Sequence, residues 1–182
     1  MEKREFCMQQ ASGHLQWAKI RCLYRKAFPR DERKPFSIIC SMRKKGKTDV
    51  WYFSEKGKFA GFATTINSDE LILLDYLAVP EALQGRGIGA KMLESLKKTY
   101  AGRGIFVEIE STREGADNLP EKIRRKRFYE RAGFRELCVE AVVFGVEMEL
   151  LGLNCKLDFD GYKAFYRDEY NPWAAEHICK VE

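Results

Sequence analysis

The sequence predicts a single α/β domain on a mixed β-sheet flanked by helices, and three stretches carry that prediction. Residues 71–79 form an almost continuous apolar run, interrupted by Asp75, as expected of a strand buried on both faces. Gln84-Gly85-Arg86-Gly87-Ile88-Gly89-Ala90 follows, with three alternating glycines and no acidic residue. Ile88, Met92, Leu93 and Leu96 then recur at helical spacing, with Lys91, Glu94, Ser95, Lys97 and Lys98 on the other side. A second apolar stretch, 105–110, completes a strand–helix–strand unit, and such a crossover makes the two strands parallel.

The other elements fall into place around this unit. Residues 14–28 are amphipathic, with Leu15, Ala18, Cys22 and Leu23 on one side, and Pro29 stops the helix. A short second helix is predicted over 35–42, then a basic loop over 43–47. Residues 49–53 and 58–67 read as strands joined through Glu55-Lys56-Gly57, a hairpin with glycine in its turn. Gly102-Arg103-Gly104 ends the helix after the glycine loop. Pro120 suits the first turn of a helix running to Ala132, and Gly133 is its natural stop. Residues 138–150 read as one or two closing strands, and 158–170 as a helix carrying Tyr162, Phe165 and Tyr166.

The glycine loop reads as a phosphate socket. Glycines let the backbone approach an anion, and the unpaired N–H groups of a first helical turn point at it. Arg86 and Lys91 stand where a helix start usually offers a carboxylate, which suits a bound anion. A P-loop needs Gly-Lys followed by Ser or Thr, and Gly89-Ala90-Lys91-Met92 fails it. Gly85, Gly87 and Ala90 do meet the dinucleotide fingerprint, with Glu108 at about the distance of a ribose-binding acid. Against it, residues 80–84 separate the strand from the first glycine, whereas the dinucleotide turn follows its strand directly.

On these residues the chain resembles the GNAT N-acetyltransferase family. Gln84, Gly87 and Gly89 match its acetyl-CoA signature, Leu77-Ala78-Val79 its fourth strand, and Phe128-Tyr129-Glu130-Arg131-Ala132-Gly133-Phe134 its tyrosine-bearing helix and following turn. The likeness is strongest over 71–150 within one domain spanning 1–182, with 151–182 as a C-terminal extension. It implies a GNAT fold with splayed parallel central strands. It also implies acetyl-CoA as co-substrate, its pantetheine arm along Leu77, Ala78 and Val79 and its pyrophosphate on the N–H groups of Gly85, Gly87, Ile88, Gly89 and Ala90, with Gln84 and Arg86 also binding the cofactor. The partner it implies is a small-molecule or peptide amine; a homodimer is allowed, and neither a membrane nor nucleic acid is expected.

Attack on the thioester needs a neutral amine, whereas an alkylamine with a pKa of roughly 10 is mostly ammonium at neutral pH. Candidate proton acceptors are Asp75 and Glu108, with Glu110 on the same strand face as Glu108 by the period of two. A carboxylate inside an apolar run needs a partner or a function. The resemblance places Asp75 where some aminoglycoside-modifying relatives bind substrate. It makes Tyr129 the donor to the leaving thiolate; the plain alternative for Tyr129 is a core aromatic, and for each carboxylate an ion pair with an Arg of 124–127. One departure stands out: where relatives often carry an Asn that contacts the cofactor, this chain has Lys122, followed by Arg124, Arg125, Lys126 and Arg127. That run suits CoA phosphates, a substrate carboxylate, nucleic acid or a solvated face.

Composition excludes other classes. At 182 residues the chain is long enough for one well-formed core, and 45% hydrophobic content is ordinary for a globular protein. No stretch approaches the roughly 18 apolar residues of a membrane span, and residues 1–10 lack a signal-peptide core, which predicts a cytoplasmic protein. Six scattered cysteines without a Cys-x-x-Cys pair predict free buried thiols. The two histidines, His14 and His177, are too separated for a metal site, so no metal is expected. The alternatives to an acetyltransferase are a noncatalytic acyl-CoA sensor and, further off, a nucleotide- or RNA-binding protein using the basic helix.

Overall fold

Alternating apolar residues on either side of Lys56-Gly57 produce the hairpin that the sequence predicts. In a computed structural model describing residues 6–30 and 33–181, β1 (Phe6–Gln10), β2 (Thr48–Glu55) and β3 (Lys58–Asn67) form an antiparallel meander. Lys56 (φ 49°) and Gly57 (φ 78°) make the turn, both left-handed as a two-residue hairpin loop demands. Phe53 pairs with Gly61 but Ser54 with Phe59, so Ala60 bulges out. A Cβ on Gly61 would lie 2.6 Å from the Ala78 carbonyl oxygen and 2.9 Å from Met92 Sδ. Glycine there lets β4 (Leu71–Ala78) and α3 (Ile88–Thr99) pack close to the bulge.

The chain forms two compact units. One comprises residues up to Ile66 together with Leu74–Thr99, the other Asn67–Leu73 together with Tyr100 onward. In the first, α1 (Gly13–Ala27) and α2 (Phe36–Lys44) bury Ile20, Leu23, Tyr24 and Ile39 against Val50, Tyr52, Phe62, Tyr76 and Ala78. Each such large side chain contributes about 1.5–3 kcal/mol on leaving water. Helix α3 contributes Ile88, Met92, Leu93 and Leu96 to the core, the four residues at helical spacing in the sequence.

In the second unit, Leu71, Ile72 and Leu73 pair in parallel with Gly104, Ile105 and Phe106 of β5 (Gly104–Glu110). The other edge of β5 pairs antiparallel with β7 (Val146–Leu153), from Ile105↔Leu153 to Glu110↔Met148. β6 (Arg135–Val143) is the hairpin partner of β7 across Phe144-Gly145, and β8 (Ile178–Lys180) pairs with β6. Strand order is β1-β2-β3-β4-β5-β7-β6-β8, a mixed sheet. Helix α4 (Leu119–Arg131) begins with Pro120 in its first turn and stops at Gly133 (φ 97°). Beyond β7, α5 (Phe159–Phe165) runs into a π-helical turn over 166–170, and α6 (Pro172–Glu176) follows.

Several expectations need revision. β1, α6 and β8 escape the sequence reading because each is five residues or fewer. All six cysteines are free, as expected, but none is fully buried: Cys7, Cys40 and Cys155 are half-buried, and Cys22, Cys138 and Cys179 are exposed on a helix surface, a strand irregularity and the edge strand. Exposed His177 packs its ring against its neighbours, tilted 4.2 Å from the Trp173 ring and stacked 5.4 Å from that of Phe144. Among the described residues, no helix is long and apolar enough to cross a membrane, and no group of three His, Cys, Asp or Glu side chains is placed to hold a metal.

Candidate functional site

The glycine loop opens the first turn of α3 to solvent. Gly85 and Gly87 are left-handed at φ 74° and 75°, a conformation that a Cβ would strain. The first intrahelical bond runs from Lys91 N–H to the Gly87 carbonyl. The N–H groups of Ile88, Gly89 and Ala90 have no hydrogen-bond partner among the described residues. Gln84 shapes the loop from behind, its side-chain amide donating to the Val79 carbonyl at 3.2 Å over the single 3₁₀ turn of 81–83. The two cations of this region differ. Lys91 is spent on Glu55 at 2.6 Å, whereas exposed Arg86 has no carboxylate partner among the described residues. Three free N–H groups, left-handed glycines and an unpaired guanidinium fit an anion such as a pyrophosphate.

Asp75 and Leu77, two residues apart, share a face of β4 and are half-buried; Ala78 is buried and Val79 half-buried at the strand end. The Asp75 carboxylate forms an ion pair with Lys34 at 2.7 Å, not with the basic helix. Lys34 is held at its main chain too: its N–H donates to the Tyr76 hydroxyl at 3.1 Å, and its carbonyl accepts from the Tyr24 hydroxyl at 2.9 Å. Burial pushes both phenols above their ordinary pKa, so both stay protonated.

In the second unit, Glu108 on β5 accepts two hydrogen bonds on one carboxylate oxygen, from Tyr162 at 2.5 Å and Tyr166 at 2.8 Å. Both tyrosines are almost fully buried, at 0% and 2% exposure, so each hydroxyl needs a partner. They sit four residues apart and thus share a helical face. Glu110, two residues along β5, meets Lys122 and Arg125, each at 3.3 Å. That pairing is the ordinary fate of a strand carboxylate facing a basic helix.

Tyr129 on α4 is buried between Phe128 and Phe134, ring centroids 5.1 Å and 5.6 Å away. Burial pushes its phenol up to about 12, against the opposing pull of Arg125. Its hydroxyl has no hydrogen-bond partner among the described residues. Most of the basic run is accounted for by carboxylates. Lys122 and Arg125 hold Glu110; Lys126 bridges Glu136 at 2.5 Å and Glu149 at 2.7 Å; Arg124 meets Glu121 at 3.6 Å. Burial opposes the charge on Glu149, but bonds from Lys126 and Thr112 prevail and hold its carboxyl below the usual range. The basic helix is therefore largely a structural ion-pair face.

The sequence reading missed Lys34, 41 residues from its partner Asp75, and the bonds from Tyr162 and Tyr166 to Glu108, 54 and 58 residues away. The i, i+4 tyrosine spacing was the one available signal, and it gives no partner.

A profile of the acetyltransferase (GNAT) domain matches residues 46–136, half of the chain. No curated protein sequence matches. Among solved structures, a GNAT-family protein from Bacteroides thetaiotaomicron is similar over 93% of this chain and 98% of its own, at 20% identity and a TM-score of 0.76. An aminoglycoside 6'-N-acetyltransferase complexed with coenzyme A is similar over 81% of this chain and 96% of its own, at 14% identity and a TM-score of 0.64. The ribosomal-protein-S18-alanine N-acetyltransferase of Escherichia coli is similar over 84% and 95%, at 18% identity and a TM-score of 0.60. At these identities the likeness is one of fold.

Proposed function

The chain belongs to the GNAT acetyltransferase family, and we propose that it transfers the acetyl group of acetyl-CoA to a primary amine by direct attack within a ternary complex. The observation that carries this reading is the open first turn of α3, where three N–H groups and Arg86 await an anion while neighbouring Lys91 is already paired. Acetyl-CoA supplies the acyl group as an activated thioester. Ile88, Gly89, Ala90 and Arg86 hold its pyrophosphate, Gln84 and the two left-handed glycines keep the loop in shape, and the backbone of Leu77, Ala78 and Val79 lines the pantetheine arm.

Glu108 receives the amine's proton, directly or through a water. Hydrogen bonds from the Tyr162 and Tyr166 hydroxyls fix the position of its carboxylate. Tyr129 donates to the departing sulfur. With its phenol near 12 it is protonated throughout the neutral range, and it stabilises the developing thiolate as a hydrogen-bond donor without needing to surrender the proton completely. Asp75 recognises the positive charge of the acceptor. Titration of released thiol from acetyl-CoA across a panel of primary amines tests the reading. Wild type is expected to release thiol in step with acetylated amine, and Tyr129→Phe to lower kcat by roughly 10²–10⁴-fold with acetyl-CoA still bound. Tight CoA binding with no thiol release for any amine supports the acyl-CoA sensor instead.

A further inference from the structure

Asp75 already holds a primary ammonium. Lys34 Nζ lies 2.7 Å from its Oδ1 and 5.9 Å from the Tyr76 ring centroid, and the two side chains are only 18% and 8% exposed. A carboxylate beside an aromatic ring in a partly desolvated position is what an alkylammonium binds. The anchoring of Lys34 is unusual in kind. Two tyrosine hydroxyls fix its main-chain N–H and carbonyl, so the backbone is held in place while the four-carbon stem carries the ammonium.

We propose that Asp75 and the Tyr76 ring form a primary-ammonium subsite whose resident occupant is Lys34, and that the acceptor amine enters by displacing it. This rests on the reading of the chain as an amine acetyltransferase. It makes Lys34 a specificity-determining residue. A tethered competitor acts at an effective concentration on the millimolar scale, so a simple monoamine must outcompete it unaided. An acceptor with further contacts elsewhere in the protein displaces it readily. The internal lysine thus disfavours small free amines and favours larger acceptors that carry a primary amine.

Calorimetric titration with n-butylammonium chloride, without acetyl-CoA, tests this independently of turnover. Affinity is expected to rise about tenfold in Lys34→Gln relative to wild type, and the gain to vanish in Lys34→Gln/Asp75→Asn. Equal affinity in wild type and Lys34→Gln, or a gain that survives loss of the Asp75 charge, overturns the proposal. A protein that binds butylammonium in this pattern yet releases no thiol would refute the transferase reading and leave the subsite standing. Should Lys34→Gln fold poorly, Lys34→Ala is melted in n-propylammonium and in tetramethylammonium at equal ionic strength. Recovery of Tm with the primary ammonium alone supports the subsite, and equal melting in both salts overturns it.

Discussion

Asp75 and Glu108 are both carboxylates set into apolar strands, and the chain satisfies them by opposite means. Asp75 on β4 is neutralised by the Lys34 ammonium, so the pair has no net charge. Glu108 on β5 accepts hydrogen bonds from the Tyr162 and Tyr166 hydroxyls in a partly buried place. Glu110 on the same strand shows the default, two cations from α4. On the proposed reading, a carboxylate oriented by hydroxyl donors is placed to accept a proton, whereas one closed by a lysine ammonium is placed to exchange that cation for another.

Stability separates the two arrangements first. Lys34→Met leaves Asp75 with no counter-charge, and orphaning one member of a partly buried pair is expected to cost about 3 kcal/mol, toward the low end for buried pairs because Lys34 retains some exposure. Tyr162→Phe and Tyr166→Phe each remove one hydroxyl donor to the Glu108 carboxylate, so each should cost about 1.5 kcal/mol. Urea unfolding of the three variants checks the order, and a larger loss from either tyrosine than from Lys34 would contradict it.

A smaller effect is expected at alkaline pH. The Tyr129 phenol titrates near 10 when unfolded and near 12 in the fold, so its neutral form is favoured by folding. Its contribution is complete below pH 10 and is lost as pH rises from 10 through about 12, at up to about 1.4 kcal/mol per pH unit. Tyr129→Phe should flatten that decline in unfolding free energy. Arg86→Ala should leave stability unchanged, within about 0.5 kcal/mol, since the guanidinium has no partner to lose among the described residues. It should nevertheless weaken CoA binding several-fold by calorimetry, whereas Lys91→Ala, whose charge is spent on Glu55, should weaken it less.

Local pattern made much of the fold legible. The β2–β3 hairpin, β4, α3 and α4 are marked by alternation, an apolar run, helical spacing, Pro120 and Gly133, all features of neighbouring residues. The glycine loop is legible for the same reason, since left-handed Gly85 and Gly87 leave their mark in composition. The partners of the carboxylates were not legible. Lys34 reaches Asp75, and Tyr162 and Tyr166 reach Glu108, across more than 40 residues of chain. Burial supplies the reason for these contacts: a hydroxyl or carboxylate removed from water must find a partner, and the one it finds depends on topology rather than on sequence neighbours. The edge strands β1 and β8 went unseen because they are too short to show a period.

The pH dependence of turnover in Glu108→Gln and Asp75→Asn, measured with one accepted amine, tests the division of labour most directly. Glu108→Gln is expected to lower kcat most at low pH, where free amine is scarce, and to recover in part at high pH, where the amine deprotonates without help. Asp75→Asn should raise the amine KM and leave the shape of the profile unchanged. Wild-type profiles and wild-type KM in both variants would contradict the account, returning both carboxylates to structural roles.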